Sequence, residues 1–207
     1  MCWMLTRDDG GTDGGRVAYL HEPHLWRGFD PGLYDSLQRI VFQAALARRP
    51  RRLTTLKSQR VLRGARFHDA ELKDSLRERR QYFQNLWDIA RGTDLVFFDP
   101  DNGLEVGSVV MGRRRSSKYL YAAECVRQGH SLLIYQHFPR VPRAPFTRTV
   151  AARLGRIPGV ASVWSIVSPT VVFFLGARRS HDSRLASALT SAKESWDGEL
   201  EVKKQTV

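Results

Sequence analysis

Acidic residues are scarce in this sequence, cysteine is scarcer, and long apolar runs are missing. Cys2 and Cys125 are the only cysteines, far apart and without metal-ligand spacing, which excludes a disulfide framework and a cysteine-based zinc site. No apolar run approaches the roughly 20 residues of a membrane-spanning helix, so no such span is expected. Met1 is followed by Cys2, Trp3 and Met4 without a basic region or a small-residue cleavage site, so no secretory leader is read here and the expected location is the cytoplasm.

The shortage of acid is local as well as general. With 33 Lys and Arg against 21 Asp and Glu in 207 residues, the formal charge is +12. Arg48 to Arg66 holds eight basic residues and no acid, and Glu124 is the only acidic residue from Val106 to His181. Such a field predicts a polyanionic partner, a nucleic acid foremost; an arginine-rich surface serving solubility is the plain alternative.

The rest has the make-up of one cored domain, residues 1–207. Cys2–Thr6 reads as a short strand, and the glycine-rich "RDDGGTDGGR" after it as a loop. Asp30 and Pro31 open a helix with Leu33, Leu37, Ile40, Val41 and Ala44 on one face. "RLTTL" and "ARFHDAEL" read as weaker strands. "DSLRERRQYFQNLWDIARG" gives a second helix with Leu76, Phe83, Leu86 and Ile89 inward. Leu95–Phe98 and "SLLIYQHF" read as buried strands, Lys118–Arg127 and "FTRTVAARLGRI" as helices. "VASVWSIVS" and "TVVFFLGA" form a hairpin, followed by a helix over about Asp182 to Trp196 and a polar tail. Continuous apolar strands alternating with helices predict an α/β fold: a Rossmann-like three-layer sandwich, its sheet mainly parallel, with Leu95–Phe98 beside Leu132–Tyr135 and a C-terminal antiparallel hairpin at one edge.

Chemistry concentrates in "DLVFFDPDNGLEV", Asp94–Val106. Ligands gather at the carboxyl ends of parallel strands, and Asp99 and Asp101 leave a strand there on either side of a rigid proline. Two convergent carboxylates suit a proton acceptor for an amine or a divalent cation; Asp101-Asn102-Gly103 is equally the composition of a turn. His137 ends the neighbouring strand as a candidate acid–base residue. Arg113, Arg114, Arg115 and Lys118 in one loop, and Arg140 and Arg143 in another, are candidate contacts to an anionic substrate. His21 and His24 form an H-x-x-H too sparse for a metal site, and the five tryptophans read mostly as core.

The order of elements in the second half, with "FFDPDNG" at a strand end, resembles the class I methyltransferase family. That resemblance implies S-adenosylmethionine over Asp9, Gly10, Gly11, Gly14 and Gly15, with Asp99, Asp101, Asn102 and His137 around a substrate amine. Asp101 stands where the family has a proline, and Asn102 where it has the aromatic residue that stacks on the target. The segments "FFDPDNGLEV", "SSKYLY" and "GHSLLIYQHFPR" also resemble those of an uncharacterised bacterial protein family, which brings no activity with it and whose members begin upstream of Met1, so an N-terminal element is expected to be missing. The competing reading is a Mg²⁺-dependent nuclease or phosphoesterase with Asp99, Asp101 and Glu105 as ligands. A binding module without catalysis would use the basic field alone. The hydrophobic strand ending in Asp-x-Asp also resembles haloacid dehalogenase-like phosphatases, yet the late acidic pair of that family has no counterpart between Cys125 and His181.

Overall fold

Four residues, Leu95–Phe98, form the first strand, β1, with Val96 and Phe98 buried and Leu95 and Phe97 partly so. The structure, a computed structural model, describes residues 1–6, 17–47, 57, 61–126 and 129–206. The chain divides into two units, Met1–Arg7 with Arg66–Val207 and Asp8–Ala65.

In the second unit a short helix α1 (Pro23–Trp26) precedes α2 (Pro31–Leu46). Asp30 caps α2 by accepting from the Leu33 amide at 2.9 Å, and Pro31 supplies a φ already set for helix. Tyr34 and Ile40 are its buried residues.

The first unit is built on one five-stranded sheet of order β1-β2-β4-β3-β5. The further strands are β2 (Ser131–His137), β3 (Val160–Val167), β4 (Val171–Arg178) and β5 (Glu201–Gln205). Only β1 and β2 form a parallel ladder; β2–β4, β4–β3 and β3–β5 are antiparallel. The expected Rossmann-like sandwich with a mainly parallel sheet is therefore overturned by a mixed, mostly antiparallel sheet, although β1 and β2 do lie side by side. Ser168, Pro169 and Thr170 leave room only for an antiparallel return, and β4 enters between β2 and β3, so the hairpin contributes two strands. The polar tail supplies the last strand, β5, with Val202 opposite Ile166 and Lys204 opposite Trp164. Its lysines suit an edge exposed to water.

Register places Val96, Phe98, Leu132, Ile134, Val172, Phe174 and Val163 on one side of the sheet, and none of them is more than 2% exposed. They share a core with helices α3 (Leu76–Ile89) and α4 (Arg143–Gly155). Ser75 caps α3 and its hydroxyl meets the Glu78 carboxylate at 2.6 Å. The buried stripe of α3 is Arg79, Tyr82, Phe83, Leu86 and Trp87; Leu76, expected inward, is exposed and lies over Gly112 at the helix start. On the other side of the sheet α5 (Asp182–Ser195) crosses β4 and β5.

Two further segments depart from expectation. Cys2–Thr6 forms isolated parallel bridges to His68, Phe98 and Glu71 instead of a ladder, and "ARFHDAEL" contributes only those bridges. Lys118–Arg127 is not an α-helix: single 3-10 turns at Ser116–Lys118 and Ala122–Glu124 stand there, with Arg127 outside the described residues. The backbone is committed sideways. The Leu120 amide donates to Gly103 O, Ala122 N to the Glu105 carboxylate, and the carbonyls of Ser116 and Tyr119 accept from Arg79. Groups spent this way cannot close helical i to i−4 bonds. "RLTTL" lies outside the described residues.

Candidate functional site

The carboxyl ends of β1 and β2 meet at one edge, and the turn after β1 is built there from the inside. Gln136, buried at 5% exposure on β2, accepts from the Leu104 amide at 2.8 Å and donates to the Asn102 carbonyl at 3.0 Å. Asn102 N donates to Lys118 O at 2.9 Å, completing the frame. Gly103 takes φ of 97°, and a Cβ there would lie 2.3 Å from the Gln136 amide. Glycine is required both for the backbone and for space. The turn reading of Asp101-Asn102-Gly103 is thus realised, with Asn102 engaged through its backbone.

Asp99 is set apart from that frame. Its amide donates to Cys2 O at 3.0 Å, which fixes the backbone, while its partly buried carboxylate receives no hydrogen bond from the described residues. Burial, with the nearby Asp101 charge adding to it, raises the Asp99 carboxyl to about 6. Asp101 is more exposed; it accepts from Thr6 Oγ1 at 2.9 Å and pairs with Lys118 Nζ at 3.5 Å. His137 is exposed at the end of β2, its Nε2 3.2 Å from the Tyr135 hydroxyl. Asp99, Asp101, Lys118 and His137 therefore all belong to this edge, as the sequence suggests, and Thr6 joins them.

Other expected residues serve elsewhere. Glu105, named with Asp99 and Asp101 in the alternative cation set, pairs with Arg153 at 2.7 Å and accepts from the Ala122 amide at 3.1 Å, which holds the loop to α4. Among the described residues no group of three or more His, Cys, Asp or Glu gathers for a metal ion. Arg143 stacks over Phe138 with its guanidinium carbon 4.5 Å from the ring centroid and donates to Pro169 O at 2.9 Å. It is fastened. Arg113, Arg114, Arg115 and Arg140 are exposed. His21 packs against Phe42, with ring centroids 5.1 Å apart. The segment expected to hold S-adenosylmethionine, Asp9, Gly10, Gly11, Gly14 and Gly15, lies outside the described residues.

The loop carrying Arg113–Lys118 rests on Arg79, which sequence reading passed over because arginine on an amphipathic helix ordinarily faces water. It is 1% exposed. Its Nε and Nη2 donate to Glu124 at 2.8 and 2.7 Å, Nη1 to Ser116 O at 2.9 Å and Nη2 to Tyr119 O at 3.0 Å, with the Tyr121 ring 5.0 Å away. Burial pushes the Glu124 carboxyl upward, against the pull of the Arg79 guanidinium. Asp74 secures the same loop: burial works against it, but the amides of Ser117 and Arg115 hold its carboxyl below the usual range. A signal for this existed in the isolation of Glu124, the one acid in 76 residues of basic sequence from Val106 to His181.

A second polar cluster occupies the opposite edge of the sheet. Ser131 Oγ lies 3.0 Å from His181 Nδ1, His181 Nε2 lies 3.5 Å from Asp94, and Arg184 pairs with Asp94 at 2.7 Å. The residue types are those of a hydrolytic triad, yet Ser131 is wholly buried and its hydroxyl accepts from the Arg178 amide at 3.0 Å. No substrate carbonyl could reach it. The cluster ties the start of α5 to β1 and β4.

No protein-family model, no curated protein and no solved structure matches the chain. No helix of the described residues is long and apolar enough to cross a membrane.

Proposed function

We propose that the edge shared by β1 and β2 is the active site of an enzyme that modifies a nucleic acid or another polyanion, with Asp99 as its proton acceptor. The observation that carries this reading is the condition of Asp99. It is a carboxylate held in place through its backbone, partly buried, and without a hydrogen-bond donor among the described residues, at a strand end where Asp101, Gln136 and His137 all have side-chain partners. A stabilising role would have supplied a donor; a proton acceptor needs that position left for substrate.

Methyl transfer to a substrate amine is the chemistry that suits such a group. S-adenosylmethionine would supply the methyl group. Asp99 would take up the proton that the substrate amine gives up when it is methylated. With its carboxyl near 6, Asp99 is ionised at neutral pH and still basic enough to take that proton. Metal-dependent phosphodiester cleavage is the poorer fit, because Glu105 is committed to Arg153 and Asp101 to Thr6 and Lys118. The exposed Arg113, Arg114, Arg115 and Arg140, in loops that leave this edge, favour a polyanionic substrate.

Calorimetric titration of S-adenosylmethionine and of Mg²⁺, each added alone to the wild type and to Asp99→Asn, tests the proposal. Binding of S-adenosylmethionine without Mg²⁺ is expected. Mg²⁺ binding that disappears in Asp99→Asn would replace this reading with the metal-dependent one, and a protein that binds neither is not this enzyme.

A further inference from the structure

We infer that His68 is an acid-operated latch: with its imidazole neutral it clamps the N-terminal segment at Cys2 against β1, and on protonation it lets that segment open. The latch concerns the backbone that carries Asp99 and stands whether or not Asp99 takes a proton from a substrate.

Cys2 lies between two neighbours. On one side its amide donates to Phe97 O at 2.7 Å and its carbonyl accepts from the Asp99 amide at 3.0 Å, so this segment supports the site edge. On the other side the His68 amide donates to Met1 O at 2.9 Å and the His68 carbonyl accepts from Trp3 N at 3.2 Å, in an isolated parallel bridge to Cys2. A bridge without a ladder can open locally while the sheet stays intact. The His68 side chain is what closes it. It is 4% exposed, its ring centroid lies 4.2 Å from that of Tyr82 on α3, and the Tyr82 hydroxyl lies 3.2 Å from Cys2 Sγ.

Among the described residues His68 Nε2 is the one buried side-chain nitrogen or oxygen without a hydrogen-bond partner. A neutral imidazole tolerates this, whereas an imidazolium donates from both ring nitrogens and would bury a charged donor with nothing to receive it. The surroundings do not compensate. The Tyr82 backbone and the Asp69 charge favour the charged ring and the Met1 amino group opposes it, but burial outweighs them and holds the His68 imidazole below its ordinary value. On α3 the Tyr82 phenol, and in the N-terminal segment the Cys2 thiol, are pushed up by burial and stay neutral in acid. Arg79, one turn before Tyr82, is committed to Glu124, and Arg66 to the carbonyls of Ile89 and Arg91. On β1 Asp99 acts from the far side of Cys2. Because the closed value lies below the ordinary 6.5, the open segment takes up the proton first: closure is at full strength above that pH and is lost as pH falls through the closed-state value.

The test uses Cys2, 0% exposed, as reporter in the full chain carrying Cys125→Ala, which leaves Cys2 the single thiol. Its reaction with 4,4′-dithiodipyridine, which still modifies thiols in mild acid, is timed in native and in urea-unfolded protein at each pH, and the ratio of the rates gives the protection. Protection is expected to fall by about tenfold from pH 7 to pH 5, within the limit of about tenfold per pH unit set by one proton, while far-ultraviolet circular dichroism stays native. His68→Phe and His68→Gln, which cannot take up the proton, are expected to keep protection level across that range, and Asp99→Asn to keep the wild-type fall. Level protection in the wild type overturns the latch. So does a fall that persists in both His68 variants, that vanishes in Asp99→Asn, or that coincides with loss of the circular dichroism signal.

Discussion

A carboxylate kept for chemistry should weaken the fold that holds it, and Asp99→Asn measures by how much. The Asp99 carboxyl rises from 3.8 in the unfolded chain to about 6 in the folded protein. Between those values the folded state holds more protons than the unfolded state, so stability falls as pH rises through the window and the loss is complete above it. A shift of about two units corresponds to about 3 kcal/mol, an upper figure because the group is partly in contact with water. Asparagine has the same shape and no charge. At pH 7.5 Asp99→Asn is expected to be more stable than wild type by about 1–3 kcal/mol, or roughly 2–10 °C in Tm for a chain of this size, and at pH 3.5 the two should coincide. Urea denaturation at the two pH values reads this directly. A variant less stable than wild type at pH 7.5, or a gain that does not change with pH, would mean that the Asp99 carboxylate has a stabilising partner and that the argument for its function is wrong. If the proposed reaction is right, the same substitution should abolish methyl transfer, so that stability and activity would move in opposite directions.

Arg79→Met leaves Glu124 buried without its partner and is expected to cost about 3–5 kcal/mol in urea unfolding, while Arg79→Met with Glu124→Leu recovers most of it. Gly103→Ala forces a Cβ into Gln136 at a φ of 97° and should destabilise by about 2 kcal/mol or more; Gln136→Ser in the same chain removes the clash but not the φ strain, so rescue should be partial. Binding of a mixed-sequence oligonucleotide should weaken steeply with salt, and replacing Arg113 and Arg114 with Ala should reduce the slope of log K against log salt by about 2; a flat salt response would remove the polyanion from the proposal. Burial pushes the Cys2 thiol up to about 11 and raises Cys125 well above its ordinary value, so both should resist a thiol reagent at pH 8 until the protein is unfolded; rapid labelling of either in the native protein would contradict their burial.

What could be read from the sequence followed from local chemistry. Asp30-Pro31 marks the start of α2 because a cap and a preset φ act within one turn, and the run Leu95–Phe98 is apolar because a strand between Cys2 and β2 must bury most of its surface. Sheet order is a different kind of property. "VVFFLGAR" is equally apolar wherever both faces are covered, so its sequence does not distinguish an edge strand from β4 between β2 and β3. The polar "EVKKQ" could be assigned as strand only once β3 offered an open edge, a fact located 40 residues away at Ser165 and Gln205.

The site shows the same division for a physical reason. Asp99 was legible because a carboxylate after an apolar strand is unusual, and its neighbours Asp101 and His137 follow from alternation on β1 and β2. Arg79 and Gln136 were not, because each is a common surface residue type whose significance lies in what it meets: Arg79 donates to two carbonyls and a carboxylate from three separate points of one loop, and Gln136 bridges both sides of the turn. Their placement explains why a helix failed to form between Lys118 and Arg127. Backbone groups that would have bonded along a helix instead bond to the framework, which costs regularity but holds a long basic loop at a fixed position beside Asp99. A loop tethered in this way can carry positive charge next to a carboxylate without collapsing onto it: Lys118 reaches Asp101 at 3.5 Å, while Asp99, immediately before Pro100, receives no hydrogen bond from the described residues at the edge where an anionic substrate would arrive.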